Sequence, residues 1–226
     1  MGVKFKEYKS LNLLVYEKLR EYINHGTLPP GSRLVVDRIS EEFGVSKIPV
    51  REAVQKLAAE GLVKIIPNKG AEVTVYSPWE VEEIYDVRSY LEPVATRLAT
   101  EKMTDADLRV LEEIFTRMDR ATKEKDYKKI PEINWDFHEH LFKCAGNSWL
   151  YKVLIDLWSR TRRSNATFTY IERYAERMFA EHEKLMKAFR NRDVDAAEAT
   201  AKTHLLSAKQ AAKEYAEKWG GAAQIK

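Results

Sequence analysis

The pattern of the chain changes at Ser77-Pro78, and that change restricts it to two unlike modules. Before this point, short stretches of helical spacing are followed by two β-rich runs. After it, apolar residues recur at helical spacing nearly to the end, with no further strand signal. A length of 226 residues accommodates two domains of ordinary size, with boundaries read as 1–77 and 78–226.

In the first module, Leu13, Leu14, Tyr16, Leu19, Tyr22 and Ile23 define a helix that must stop near His25-Gly26, ahead of Pro29-Pro30-Gly31. Val36, Ile39, Ser40 and Phe43 make a short second helix ending at Gly44. Ser46 opens a third, running through Val50, Ala53, Val54, Leu57 and Ala58 to Gly61. Two short helices about a tight Gly-containing turn make a helix-turn-helix. Leu62 to Ile66 and Ala71 to Val75, separated by Pro67-Asn68-Lys69-Gly70, then form a β-hairpin wing. The second module reads as helices over about 79–101, 105–124, 128–145, 148–165, 170–191 and 194–218. Thr104-Asp105 and Asn147-Ser148 mark two starts, and Asn191 to Asp193 a tight connection. The expected fold class is mainly α: a winged helix-turn-helix of three helices and a β-hairpin wing, followed by an all-α bundle.

With 44% hydrophobic and 32% charged residues, this is the composition of a globular chain in water. No stretch reaches the roughly 18 apolar residues of a spanning helix. The first eight residues carry Lys4, Lys6 and Glu7 in place of an apolar signal core. The expectation is a cytoplasmic protein with no membrane partner. The single cysteine, Cys144, excludes intrachain disulfides and reads as a buried, inert thiol. The net charge of +3 sits entirely in residues 1–76, which hold 12 Lys and Arg against 9 Asp and Glu. That basic excess directs the search for nucleic-acid contacts to the first module.

The second helix of a helix-turn-helix places its N-terminal side chains against base edges in the major groove. Here that end reads Ser46-Lys47-Ile48-Pro49-Val50-Arg51. Ser46 is placed to cap the helix and touch phosphate, and Pro49 fits the first turn. Lys47 and Arg51, four residues apart, share one face. Arg51 suits a bidentate guanine contact, and Lys47 a base or a phosphate. Arg33, Arg38 and Lys56 read as phosphate contacts or solvated charges; Lys69 and Gly70, at the wing tip, reach the backbone or the adjacent minor groove. The competing reading makes Lys47 and Arg51 an ordinary solvated face. The run Gly44 to Ala53, followed by Leu57, Glu60-Gly61-Leu62-Val63 and Gly70, resembles the DNA-binding motif of the GntR family over residues 9–75. The resemblance implies a homodimer on an inverted-repeat operator in double-stranded DNA. It also implies Lys47, Arg51 and the wing near that DNA. The family usually has Arg at the position of Lys47 and often a small polar residue at that of Ile48.

Three of the five histidines can be related by helical geometry. His182 and His204 lie 11 residues either side of Asp193, and so at equal depth in an antiparallel pair. Asn134 and His138 are i,i+4 on a third helix, whereas His140 is rotated by about 200° and faces elsewhere. Three imidazoles and an amide oxygen suit a divalent transition ion, Zn²⁺ or Ni²⁺ before Mn²⁺ or Fe²⁺; the alternative is hydrogen-bonded core packing.

Glu83 to Arg88 with Leu91-Glu92, Phe137-His138 with Asn147, Glu181-His182, and His204 resemble the FCD ligand-sensing domain of the FadR subfamily over about residues 80–215. That resemblance implies a metal held by an Asp and three His, matched here by Asn134, His138, His182 and His204, with a small organic acid sensed beside it. Asn134 departs from the usual Asp. Arg88 is the candidate carboxylate clamp, its alternative being a pair with Glu92 or Glu83. Arg160, Arg162 and Arg163 face either the cavity or solvent, and Trp135, Phe137, Trp158, Phe168 and Tyr170 read as core. The expectation is an effector-controlled DNA-binding transcription regulator, a repressor, and not an enzyme. Two alternatives stand beside it: a metal-dependent hydrolase fused to a DNA-binding domain, for which no HExxH occurs, and a regulator whose metal is purely structural.

Overall fold

The computed structural model describes residues 10–24, 27–67, 69–165 and 172–219, divided into two units between Val75 and Tyr76. His25, Gly26, Asn68, Phe168 and Tyr170, all named above, lie outside the described residues.

In the first unit, α1 (Leu11–Asn24) buries Val15, Tyr16, Leu19 and Ile23; the spacing marked the last three, but it missed Val15 and included Leu14, which is 45% exposed. The pair α2 (Val36–Phe43) and α3 (Lys47–Ala59) turns at Gly44, whose φ of 63° closes the end of α2 with its N–H on the carbonyls of Ser40 and Glu41. Glycine takes that left-handed conformation without a Cβ clash. Val50, Ala53, Val54 and Leu57 of α3 complete the core with α1 and the sheet.

The sheet has three strands where the sequence pattern marked two. Strand β1 (Arg33–Leu34) pairs antiparallel with β3 (Gly70–Val73), which also pairs with β2 (Val63–Ile66), in the order β1-β3-β2. Two residues, one exposed and one buried, are too few for a period-2 signal. The hairpin strands are shorter than the β-rich runs, and Gly70 opens β3 instead of ending the turn.

The second unit contains α4 (Pro78–Lys102), α5 (Asp105–Lys123), α6 (Ile130–Cys144), α7 (Ser148–Asn165), α8 (Glu172–Arg190) and α9 (Val194–Trp219). Its starts are chemically explicit. Ser77 with Glu80 and Thr104 with Asp107 form reciprocal capping boxes on α4 and α5. Pro131 sits in the first turn of α6 and moves its start to Ile130. Helix α4 packs most extensively on α9 and also on α7 and α6. Buried Ala95, Ala99, Ala197 and Ala201 permit that close approach. The α8–α9 connection is as tight as expected, with Arg192 at φ 54° and the N–H groups of Arg192 and Asp193 on the carbonyls of Phe189 and Ala188.

Candidate metal centre and DNA-binding surface

Three imidazoles from three helices converge in the interior of the second unit. His138 (α6), His182 (α8) and His204 (α9) are 3%, 0% and 5% exposed, and one ring nitrogen of each lies within 4.8 Å of the others. The ring centroids of His182 and His204 are 4.7 Å apart, the equal depth that the symmetric spacing about Asp193 required. Nε2 of His138 and Nε2 of His182 are 3.2 Å apart.

Hydrogen bonds to the far side of two rings set their tautomers. Nδ1 of His182 donates to the carbonyl of Met178 at 2.8 Å. Nδ1 of His204 donates to Oε2 of Glu181 at 2.7 Å. A carbonyl and a carboxylate only accept, so both rings carry a proton on Nδ1 and turn Nε2 inward. This is the outer support that metal-ligating histidines commonly have. Glu181 itself, raised by burial but lowered further by hydrogen bonds from His204 and Ser207, stays below the usual carboxylate range and ionised. In sequence Glu181 stands out only within the Glu181-His182 pair of the FCD resemblance, although the arithmetic that pairs His182 with His204 also puts it beside them.

Burial is the main reason that His138 and His182 stay neutral. It pushes the pKa of His182 down to about 3, with the His204 charge acting the same way. Burial lowers His138 well below the ordinary value too, helped by His182, His204 and Arg88. Neutral rings keep the lone pairs that a metal needs.

The residues fit an ion by two further observations. Two nitrogens about 2.0–2.1 Å from one ion, at tetrahedral or octahedral angles, stand about 2.9–3.4 Å apart, and 3.2 Å falls inside that interval. Asn134, one turn before His138 on α6, has a buried Oδ1 with no hydrogen-bond partner, and Nδ1 of His138 is likewise unpartnered. A buried carbonyl oxygen left unsatisfied costs about 1–3 kcal/mol, a cost that a cation removes.

Beside the rings, Arg88 is 3% exposed. Its Nε donates to Oε1 of Glu92 at 2.5 Å and its Nη1 to Oγ1 of Thr161 at 2.7 Å. The guanidinium lies over the rings of Tyr85 and Trp158, at 4.7 and 4.3 Å, and the Trp158 ring is 4.5 Å from that of His138. The intrahelical Glu92 pair weighed above is therefore present, but inside the core and one ring away from the histidines. Trp158, read from sequence as simple core, also donates Nε1–H to Glu92 at 2.7 Å. Of the arginine cluster, Arg160 pairs with Asp156 at 2.8 Å; the side chains of Arg162 and Arg163 lie outside the described residues. His140 faces away from the three rings, toward Asp107 and Cys144.

In the first unit, Arg33, Arg38, Ser46, Lys47, Arg51, Lys69 and Gly70 are all exposed. Ser46 occupies the N-cap position of α3, yet its side chain makes no capping hydrogen bond, which corrects the expected cap. Lys47 pairs with Asp37 of α2 at 2.9 Å, both side chains more than half exposed. Such a pair is worth about 0–1 kcal/mol and yields readily to a phosphate. Ile48, 67% exposed between Lys47 and Arg51, is a large apolar side chain in water.

The depressed histidines make a pH prediction for metal-stripped protein. A group whose pKa is lower folded than unfolded binds its proton in the unfolded chain first, so its stabilising contribution is complete above about pH 6.5 and is lost as pH falls. Between pH 6.5 and 5, unfolding free energy should fall by up to about 1.4 kcal/mol per pH unit for each of His138 and His182. Urea titrations across that range should show the slope reduced in His182→Gln; an unchanged slope would contradict the neutral cluster.

The FCD domain profile matches residues 83–207, and that of the bacterial regulatory proteins, gntR family, matches residues 11–73. YdhC of Bacillus subtilis strain 168, an uncharacterized HTH-type transcriptional regulator, is 30% identical over 199 residues, 86% of either chain. The HTH-type transcriptional repressor RspR of Escherichia coli strain K12 is 29% identical over 196 residues, again 86% of each. The solved structure of E. coli McbR/YncC shares the fold, with a TM-score of 0.82 over 92% of this chain and 99% of that one at 23% identity. A DNA-binding module matched by one profile and a helical module matched by the other, in this order, place the chain in the gntR family of bacterial transcription regulators, with an FCD domain as its second unit.

Proposed function

We propose that this regulator is a repressor whose hold on operator DNA is controlled by a small carboxylate bound beside a divalent transition metal in the FCD domain. The observation that carries the reading is the convergence of three buried imidazoles, two of them with Nδ1 hydrogen-bonded on the far side so that Nε2 points inward. Asn134, His138, His182 and His204 would hold the ion, Zn²⁺ or Ni²⁺ before Mn²⁺ or Fe²⁺, since imidazole-rich sites favour the later metals. When bound, it supplies a Lewis-acidic attachment point for one carboxylate oxygen. Arg88 is the second contact: its fork has five N–H donors, of which Glu92 and Thr161 engage two.

Control of DNA follows from symmetry. Two copies of the first unit on an inverted repeat must present their α3 helices about one helical turn of DNA apart. An effector that changes how two FCD domains pair therefore changes the fit. Val87, Tyr90 and Val94, spaced along one face of α4 and 47%, 77% and 45% exposed, supply apolar surface for that pairing. On each α3, Arg51 would read a guanine and Ile48 would cover a thymine methyl, while Lys47, Arg33, Arg38, Ser46 and the wing residues Lys69 and Gly70 hold the backbone.

The hydrolase alternative is set aside, because the relatives that match along the chain are transcription regulators. A purely structural ion is favoured by one observation, the near-complete burial of all three rings. Chelation would then lower the melting temperature and leave carboxylate affinity unchanged.

Elemental analysis of tag-free protein loaded with Zn²⁺ or Ni²⁺ should find about one transition metal per chain more in wild type than in His182→Ala; equal metal content in the two would sink the reading. On selected operator DNA, Arg51→Ala should lose about 1–3 kcal/mol of binding and relax the preference at a single base position. A uniform loss over all sequences would make Arg51 a phosphate contact instead.

A further inference from the structure

Outside the three-histidine cluster, the second unit brings together a carboxylate, an imidazole and the chain's one thiol. Asp107 stands in the first turn of α5, and His140 and Cys144 are one turn apart at the end of α6. One donor atom from each lies within 4.8 Å of the other two.

The details favour a ligand over simple packing. Nε2 of His140 is buried and has no hydrogen-bond partner. It faces Oδ1 of Asp107 at 3.7 Å, too long for a hydrogen bond but close to the separation of two ligands of one ion. Asp107 is held rigidly, because its Oδ2 accepts the backbone N–H and the hydroxyl of Thr104 at 2.8 and 2.7 Å. That capping box leaves Oδ1 turned to the imidazole and the thiol. The same hydrogen bonds keep Asp107 below the usual carboxylate range, and so charged. The side chains of His140 and Asp107 are 22% and 33% exposed, so that an ion can enter from solvent.

We propose that Asp107, His140 and Cys144 form a second metal site, suited to a zinc-class divalent cation, with a fourth position open to water. One oxygen, one nitrogen and one sulfur ligand is a donor set of the borderline type that Zn²⁺ accepts, and three protein ligands plus water is its usual open arrangement. The thiol binds as thiolate, and its proton is released to solvent as the metal enters. Without metal, burial and the Asp107 charge push Cys144 up to about 12. The inert thiol expected from sequence is thus the resting form of a ligand; it is half-buried, packed against the apolar core on one side and beside two polar groups on the other.

This site is independent of the three-histidine reading, and sulfur separates the two by experiment. Full-length wild-type protein loaded with Co²⁺ should show a thiolate-to-cobalt charge-transfer band in the near ultraviolet. Cys144 is the sole cysteine, so the band has one intramolecular source. It should vanish in Cys144→Ser, fall at least tenfold in strength at limiting Co²⁺ in His140→Gln, and persist in His182→Ala, whose defect lies in the other cluster. Elemental analysis of zinc-loaded Cys144→Ser should find one equivalent fewer than in wild type. Absence of the band in folded wild-type protein with a reduced thiol would overturn the proposal and leave a packed polar trio; so would a band that His140→Gln leaves unchanged.

Discussion

Burying three imidazoles within one core is tolerable only if each is either kept neutral or paired and if each ring's polar atoms are met, and the organisation of the second unit follows from that demand. Desolvation removes the protons that would charge His138 and His182. The far nitrogens are met by a helix carbonyl for His182 and by Glu181 for His204. The near nitrogens face one another, where like lone pairs repel unless a proton or a cation stands between them. In the metal-free chain, His138 can supply that proton to His182 across 3.2 Å, but Asn134 Oδ1 and His138 Nδ1 remain unmet. A cation at the inward face would satisfy the three Nε2 atoms and the amide oxygen together.

Five of the packed helices serve this centre. Helices α6, α8 and α9 bring the rings, and α4 brings Arg88 and Glu92, which α7 holds through Thr161 and Trp158. Charge beside the rings is balanced by the buried Arg88–Glu92 pair. An ion pair so buried is costly unless well hydrogen-bonded; Trp158 donates to Glu92 and Thr161 accepts from Arg88, which offsets part of that cost. An anionic ligand entering here would alter that balance directly, which gives a carboxylate a physical route to the packing of α4 against its neighbours.

How far this was legible from sequence depended on whether a feature was local or symmetric about a turn. Helix starts at Ser77, Thr104 and Ser148 were readable because caps and prolines are local signals. The pairing of His182 with His204 was readable because an antiparallel hairpin turns equal sequence separation into equal depth. The same arithmetic about the α5–α6 connection puts Asp107, 20 residues before Tyr127, nearly level with Cys144, 17 after it, but equal depth alone does not show that the side chains of that trio converge. Strand β1 was beyond reach, since its two residues become a strand only by pairing with β3. Glu92 as the partner of Arg88 was among the readings weighed, but nothing local in the sequence marked that pair as buried, because burial there is set by α7, more than 60 residues away.

Anomalous X-ray diffraction from crystals of the zinc-loaded protein, recorded on both sides of the zinc absorption edge, would locate an ion among the three imidazoles. A peak is expected at bonding distance from the Nε2 atoms of His138, His182 and His204, about 2.0–2.1 Å from each. Fully occupied side chains with the His138 and His182 rings hydrogen-bonded to one another, and no anomalous signal among the three, would contradict that expectation.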